Sequence, residues 1–183
     1  MQELNASQLV NVARSFLRLD IPVMIWGEPG IGKSQVVKQL AREDNALELE
    51  IRLSQYDSVD LRGIPHIAKT EHGGSMTAWA PASTLPFVGN PNFPSDRPIY
   101  LFLDELPQAM TAVQAPAFQL VLDRCIGEHA LMPNVRVLAA GNLEDHKAGA
   151  NRDSDGMSHT TVWLLPDQYL RPTVSTPFSS LCR

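Results

Sequence analysis

The sequence predicts an α/β fold of three layers, α/β/α, around a mostly parallel sheet, and three observations carry that prediction. A phosphate-loop pattern, "GEPGIGKS" at residues 27–34, stands directly behind the apolar run "IPVMIW". A second apolar run, "IYLFLDE" at 99–105, closes on two carboxylates. Helical and strand periods alternate along the chain, and strand, helix, strand implies a right-handed parallel crossover.

Each element follows in order. "NASQLVNVARSFLRLD" sets Leu9, Ala13, Phe16 and Leu17 on one helical face, and Asn5 with Gln8 forms a capping-box pattern. The first strand spans Pro22 to Trp26. "KSQVVKQLARE" then supplies Val36, Val37, Leu40 and Ala41 at helical spacing. "LELEIRL" gives a second strand ending near Leu53. Residues 54–98, with six prolines and four glycines, form an insert too long to be structureless in a compact domain. Its texture predicts a short helix at Ser58 to Arg62 and a hairpin near "GGSMTAWAPASTLP". The third strand, Ile99 to Leu103, reads as buried on both faces. A helix follows, opened by Pro107 in its first turn and kinked at Pro116. "CIGEHALMPN" suggests a small hairpin, and "VRVLAA" a fourth strand ended by Gly141 and Asn142. From about Asp153 only Thr161 to Leu165 has strand character, and the last dozen residues are expected to be poorly ordered. The domain expectation is therefore a nucleotide-binding core over 1–152 with a divergent tail over 153–183.

Composition excludes several classes. At 183 residues the chain suits one domain, and no stretch approaches the roughly 18 apolar positions of a membrane helix. The start lacks the pattern of a signal peptide, so a cytoplasmic protein is expected. Net charge is −5 without a Lys/Arg-rich block, which argues against direct nucleic-acid binding. Cys125 and Cys182 are isolated, and the five histidines form no ligand-spaced pair.

The chemistry concentrates at two places. Glycines let the loop backbone take positive φ and approach an anion closely, so its amides can point inward. Gly27, Glu28, Pro29, Gly30, Ile31, Gly32, Lys33, Ser34 and Gln35 form the expected nucleotide-binding set. Lys33 would reach the β/γ-phosphates and Ser34 would offer its hydroxyl to Mg²⁺. In open α/β sheets ligands bind beyond the carboxyl ends of the strands, where Asp104 and Glu105 also fall. Asp104 would hold Mg²⁺ mostly through its waters, and Glu105 would orient the attacking water. The side chain of Asn142, at the end of the next strand, could reach the same water or the γ-phosphate.

Together these residues resemble an AAA+ ATPase of the P-loop NTPase class, and within it the MoxR-like, helix-two-insert branch. "GEPGIGKS" is similar to its Walker A, "IYLFLDE" to its Walker B and "VLAAGN" to its sensor-one strand. "LSQYDSVDLRGIP" with "WAPASTLP" resembles the segment around the helix-two insert, and "LVLDRCIGEHALMPN" the pre-sensor hairpin region. The resemblance covers residues 5–152 and implies strand order 5-1-4-3-2, ATP with Mg²⁺, and remodelling of partner proteins. It further implies a homo-oligomeric ring, given the family's full C-terminus, and von Willebrand A-domain proteins as partners. After Arg152 the family's arginine finger, fifth strand and helical lid are not recognisable, so a missing lid and a truncated or divergent end are expected. Neither Arg152 nor Arg171 fits the finger motif. The alternative is accordingly a nucleotide-binding module with little or no hydrolysis.

Overall fold

The protein is described by a computed structural model over residues 3–70, 73–142 and 160–164. A short strand β1 (Glu3–Leu4) leads into α1 (Ala6–Arg18). The Asn5 side chain accepts from the Gln8 amide at 2.9 Å while Gln8 returns a bond to the Asn5 amide at 3.0 Å, so two orphan donors at the helix start are satisfied. Leu9, Val10, Ala13 and Leu17 are buried, and Phe16 is only partly so. Strand β2 (Val23–Gly27) feeds the loop that opens α2 (Lys33–Glu43), and β3 (Leu47–Arg52) returns parallel to the later strands.

The insert holds α3 (Ser58–Arg62), as its composition predicts, and the hairpin β4 (Ile64–Lys69) and β5 (Ser75–Ala80). The second strand of that hairpin falls within the expected stretch, whereas its first lies upstream of it. Its first strand contains Pro65, a residue confined to edges and bulges in sheets, and a two-stranded ribbon consists only of edges. Gly63 closes its base with φ +84°, where a Cβ would stand 1.9 Å from the Ala80 carbonyl oxygen.

Strand β6 (Ile99–Asp104) is buried at all six positions. The expected helix opening at Pro107 is corrected by the structure. Pro107 sits in a 3₁₀ turn, Leu106–Gln108, and α4 (Thr111–Leu122) begins later, with Pro116 buried inside it. A tight β7 (Cys125–Ile126) and β8 (His129–Ala130) hairpin precedes β9 (Val135–Gly141), and β10 (Thr160–Leu164) completes the described chain.

The sheet order is β1-β10-β2-β9-β6-β3. Its four parallel strands, β2, β9, β6 and β3, keep the 1-4-3-2 portion of the implied order. The place beside β2 is taken by β10, which runs antiparallel. Alternation along β6 builds the three layers. Tyr100 and Phe102 pack with Leu9, Leu17, Val37 and Leu40 of α1 and α2, whereas Leu101 and Leu103 pack with Leu61 of α3 and Val113, Ala117 and Leu120 of α4. The expected tail beyond Leu164 lies outside the described residues. No helix among the described residues is long and apolar enough to cross a membrane.

Candidate functional site

The loop from Gly27 to Gly32 turns sharply enough to require its glycines. Gly30 has φ +83° and Gly32 has φ +92°, and a side chain at either position would be strained whatever the space around it. Gly32 serves as the N-cap of α2 without a side-chain cap, and the first helical bond runs from the Val36 amide to the Gly32 carbonyl at 3.1 Å. The amides of Lys33, Ser34 and Gln35 therefore precede that bond at the positive end of an eleven-residue helix. This donor set fits an anion.

Lys33 folds back across the loop. Its ammonium donates to the Gly27 carbonyl at 2.9 Å, the Glu28 carbonyl at 3.0 Å and Asn142 Oδ1 at 2.9 Å. The last bond ties the loop after β2 to the end of β9. Burial lowers the Lys33 pKa, and the charges of Asp104 and Glu105 oppose that shift. All three groups thus act on one another across the strand ends.

Asp104 is the buried charged residue among those described, 9% exposed. Burial raises its pKa, the bond from the Glu105 amide to Oδ1 at 2.9 Å pulls it down, and the neighbouring Glu105 charge pushes it up again. A desolvated carboxylate with one oxygen already committed lacks a full counter-charge, and a divalent cation would supply it. The residues present fit Mg²⁺ in that sense. Among the described residues no group of three His, Cys, Asp or Glu side chains could hold a metal alone.

Glu105 has φ +58°, a left-handed conformation unusual for a side chain of its kind, and such strain persists only where surroundings impose it. Its carboxylate accepts a hydrogen bond from Ser54 Oγ. Ser54 escaped the sequence reading. The signal that finds it is the parallel register Arg52↔Asp104, which sets the residues just past β3 beside Glu105.

Asn142 is positioned by two further contacts that the sequence reading missed. Gln108 Nε2 donates weakly to the Asn142 carbonyl at 3.4 Å. The preceding Gly141 is wedged so closely that a Cβ would lie 2.7 Å from Pro107 Cγ and 2.9 Å from Trp26 Cζ3. Lys33, Asp104, Glu105 and Asn142 thus come to one end of the sheet, with the glycine loop and Ser34 at the start of α2 beside them.

No protein-family profile matches the chain. Solved structures similar to the chain include the following two. One is a candidate ATPase from Cytophaga hutchinsonii ATCC 33406, 17% identical with a TM-score of 0.45, over 89% of this chain and 43% of that one. The other is NtrX from Brucella abortus, 14% identical with a TM-score of 0.42, over 75% of this chain and 31% of that one. The chain therefore spans less than half the length of either protein. At such identity neither likeness speaks to function.

Proposed function

We propose that the chain binds ATP with Mg²⁺ and hydrolyses it to ADP and phosphate, as an AAA+ ATPase of MoxR type that remodels partner proteins. The observation that carries this reading is the 2.9 Å bond from Lys33 to Asn142, which joins the phosphate loop to the strand ends where the carboxylates sit. The uncapped start of α2 offers amides to a phosphate tail, and Lys33 can exchange its loop carbonyls for phosphate oxygens. Ser34 and Asp104 would hold Mg²⁺, which when bound neutralises charge on those oxygens. Glu105 would orient the attacking water, and Asn142, released from Lys33, would steady that water or the γ-phosphate. The choice of ATP, ring assembly and a von Willebrand A-domain partner are finer proposals that rest on the family resemblance.

A second reading, nucleotide binding with little turnover, is favoured by one feature. Glu105 is held by Ser54 and Asn142 by Lys33, so both reactive groups are engaged within the protein. Steady-state ATP turnover across protein concentrations separates the two. A remodelling ATPase accelerates as it assembles, and Glu105→Gln lowers its turnover about a hundredfold or more while ATP affinity stays near wild type. Flat, negligible turnover that Glu105→Gln leaves unchanged would rule out hydrolysis.

A further inference from the structure

The pole of the sheet opposite the phosphate loop carries a cleft of about 380 Å³, within the ~300–1,000 Å³ span of small-molecule sites. It opens where β6 and β9 begin, four residues of β6 from Asp104, so roughly 13 Å along the strand. Leu17 and Tyr100 form a buried floor. Arg18, Arg97 and Arg136 line it against a single acid, Asp96, in a chain whose net charge is −5.

The counter-charge there is incomplete. Asp20 serves two guanidiniums at once, Arg124 at 2.7 Å and Arg136 at 3.4 Å. Arg18 and Arg97 form no ion pair among the described residues. The last-turn position in α1 accounts for Arg18 through the helix dipole, but nothing similar accounts for Arg97. The segment bearing Arg97 is also fixed in place. Asn134 Nδ2 donates to the Pro94 carbonyl at 2.8 Å and the Arg97 carbonyl at 2.6 Å, and the Leu47 amide donates to the Pro98 carbonyl at 2.8 Å. Arg136 is aimed by bonds from Nη1 to the Pro133 and Val135 carbonyls, each 2.8 Å. A guanidinium held by backbone carbonyls, Arg136, beside an exposed and unpaired one on a braced segment, Arg97, over an apolar floor suits planar oxyanions bound by paired hydrogen bonds.

We infer that this cleft is a second binding site, for a small organic oxyanion bearing carboxylate or phosphate groups, held between Arg97 and Arg136. The site is independent of nucleotide binding, so it is tested on Lys33→Ala protein, in which the phosphate loop is disabled. Calorimetric titration with citrate and with pyrophosphate at low and moderate salt reads it, and the two probes separate carboxylate from phosphate preference. One saturable site is expected for at least one probe, weakened tenfold or more by Arg97→Ala and by Arg136→Ala. Arg62→Ala, which removes an arginine lying 5.2 Å over the Trp79 ring in the insert, should leave it unchanged. Because Arg136 also braces the backbone, Arg97→Ala alone decides if Arg136→Ala fails to fold. Absence of saturable binding by either probe, indifference to Arg97→Ala, or an equal loss in Arg62→Ala overturns the inference.

Discussion

Replacing Gly141 with alanine adds one methyl group at the point where β9 hands Asn142 to the site. Carbon atoms in contact rest about 3.5–4.0 Å apart, whereas the new Cβ would stand 2.7 and 2.9 Å from Pro107 and 2.9 Å from Trp26. Relief requires a shift of about 1 Å, and a proline ring in a 3₁₀ turn cannot rotate away. Overpacking of this kind costs about 1–3 kcal/mol, which for a chain of this size lowers Tm by roughly 2–4 °C per kcal/mol. The same shift moves Asn142 relative to Lys33, and misplacement by about 1 Å can cost on the order of a hundredfold in rate. Thermal melts and ATP turnover should therefore both fall, with ATP affinity less affected because the loop amides are untouched. Gly89→Ala is the control, since Gly89, unlike Gly141, has a positive φ (+88°), while its Cβ would meet nothing within 4 Å. It should show only backbone strain, about 1–2 kcal/mol, and normal turnover. Equal effects of the two substitutions on stability and on turnover would refute the wedge.

Other expectations follow from single contacts. Ser54→Ala frees the Glu105 carboxylate and should raise basal turnover about two- to fivefold, the worth of roughly 1 kcal/mol, with ATP affinity unchanged; a lower turnover contradicts a restraining role. Burial holds the Asp104 carboxyl above its ordinary range, so the folded state keeps that proton more tightly than the unfolded chain. The resulting stability is complete below the unfolded value near ~4 and is lost as pH rises through the folded value. Melts of Asp104→Asn should therefore gain on wild type as pH rises above about 4, and a constant gap would show that the charge is not the cause. Asn5→Ala removes the reciprocal cap of α1 and should cost about 1 kcal/mol by denaturant titration, an effect absent if Gln8 alone holds the helix start.

What was legible in the sequence was what local chemistry decides. The glycine loop sits in a strand-to-helix turn because positive φ and an uncapped helix start are written in eight consecutive residues. The six apolar and acidic positions from Ile99 to Asp104 all prove buried, since a strand covered on both faces leaves no polar alternation. Long-range pairing was less legible. Thr160–Leu164 has strand character, but only its partners fix its direction, and beside β2 it runs antiparallel. Pro65 disguised the first strand of the insert hairpin, and Pro107 signalled a helix start where a 3₁₀ turn instead packs against Gly141. Ser54 meets Glu105 through the pairing of β3 with β6, two segments separated by the whole insert. No local pattern carries that contact.

The claim on which the rest depends is that the loop amides and Lys33 hold a nucleoside triphosphate. Calorimetric titration of ATP, with and without Mg²⁺, into wild-type and Lys33→Ala protein of equal helicity tests it directly. The account predicts one saturable site in the wild type, tighter with Mg²⁺, and its loss in Lys33→Ala. Absence of binding heat in the folded wild type, or equal affinity in the two proteins, would contradict it.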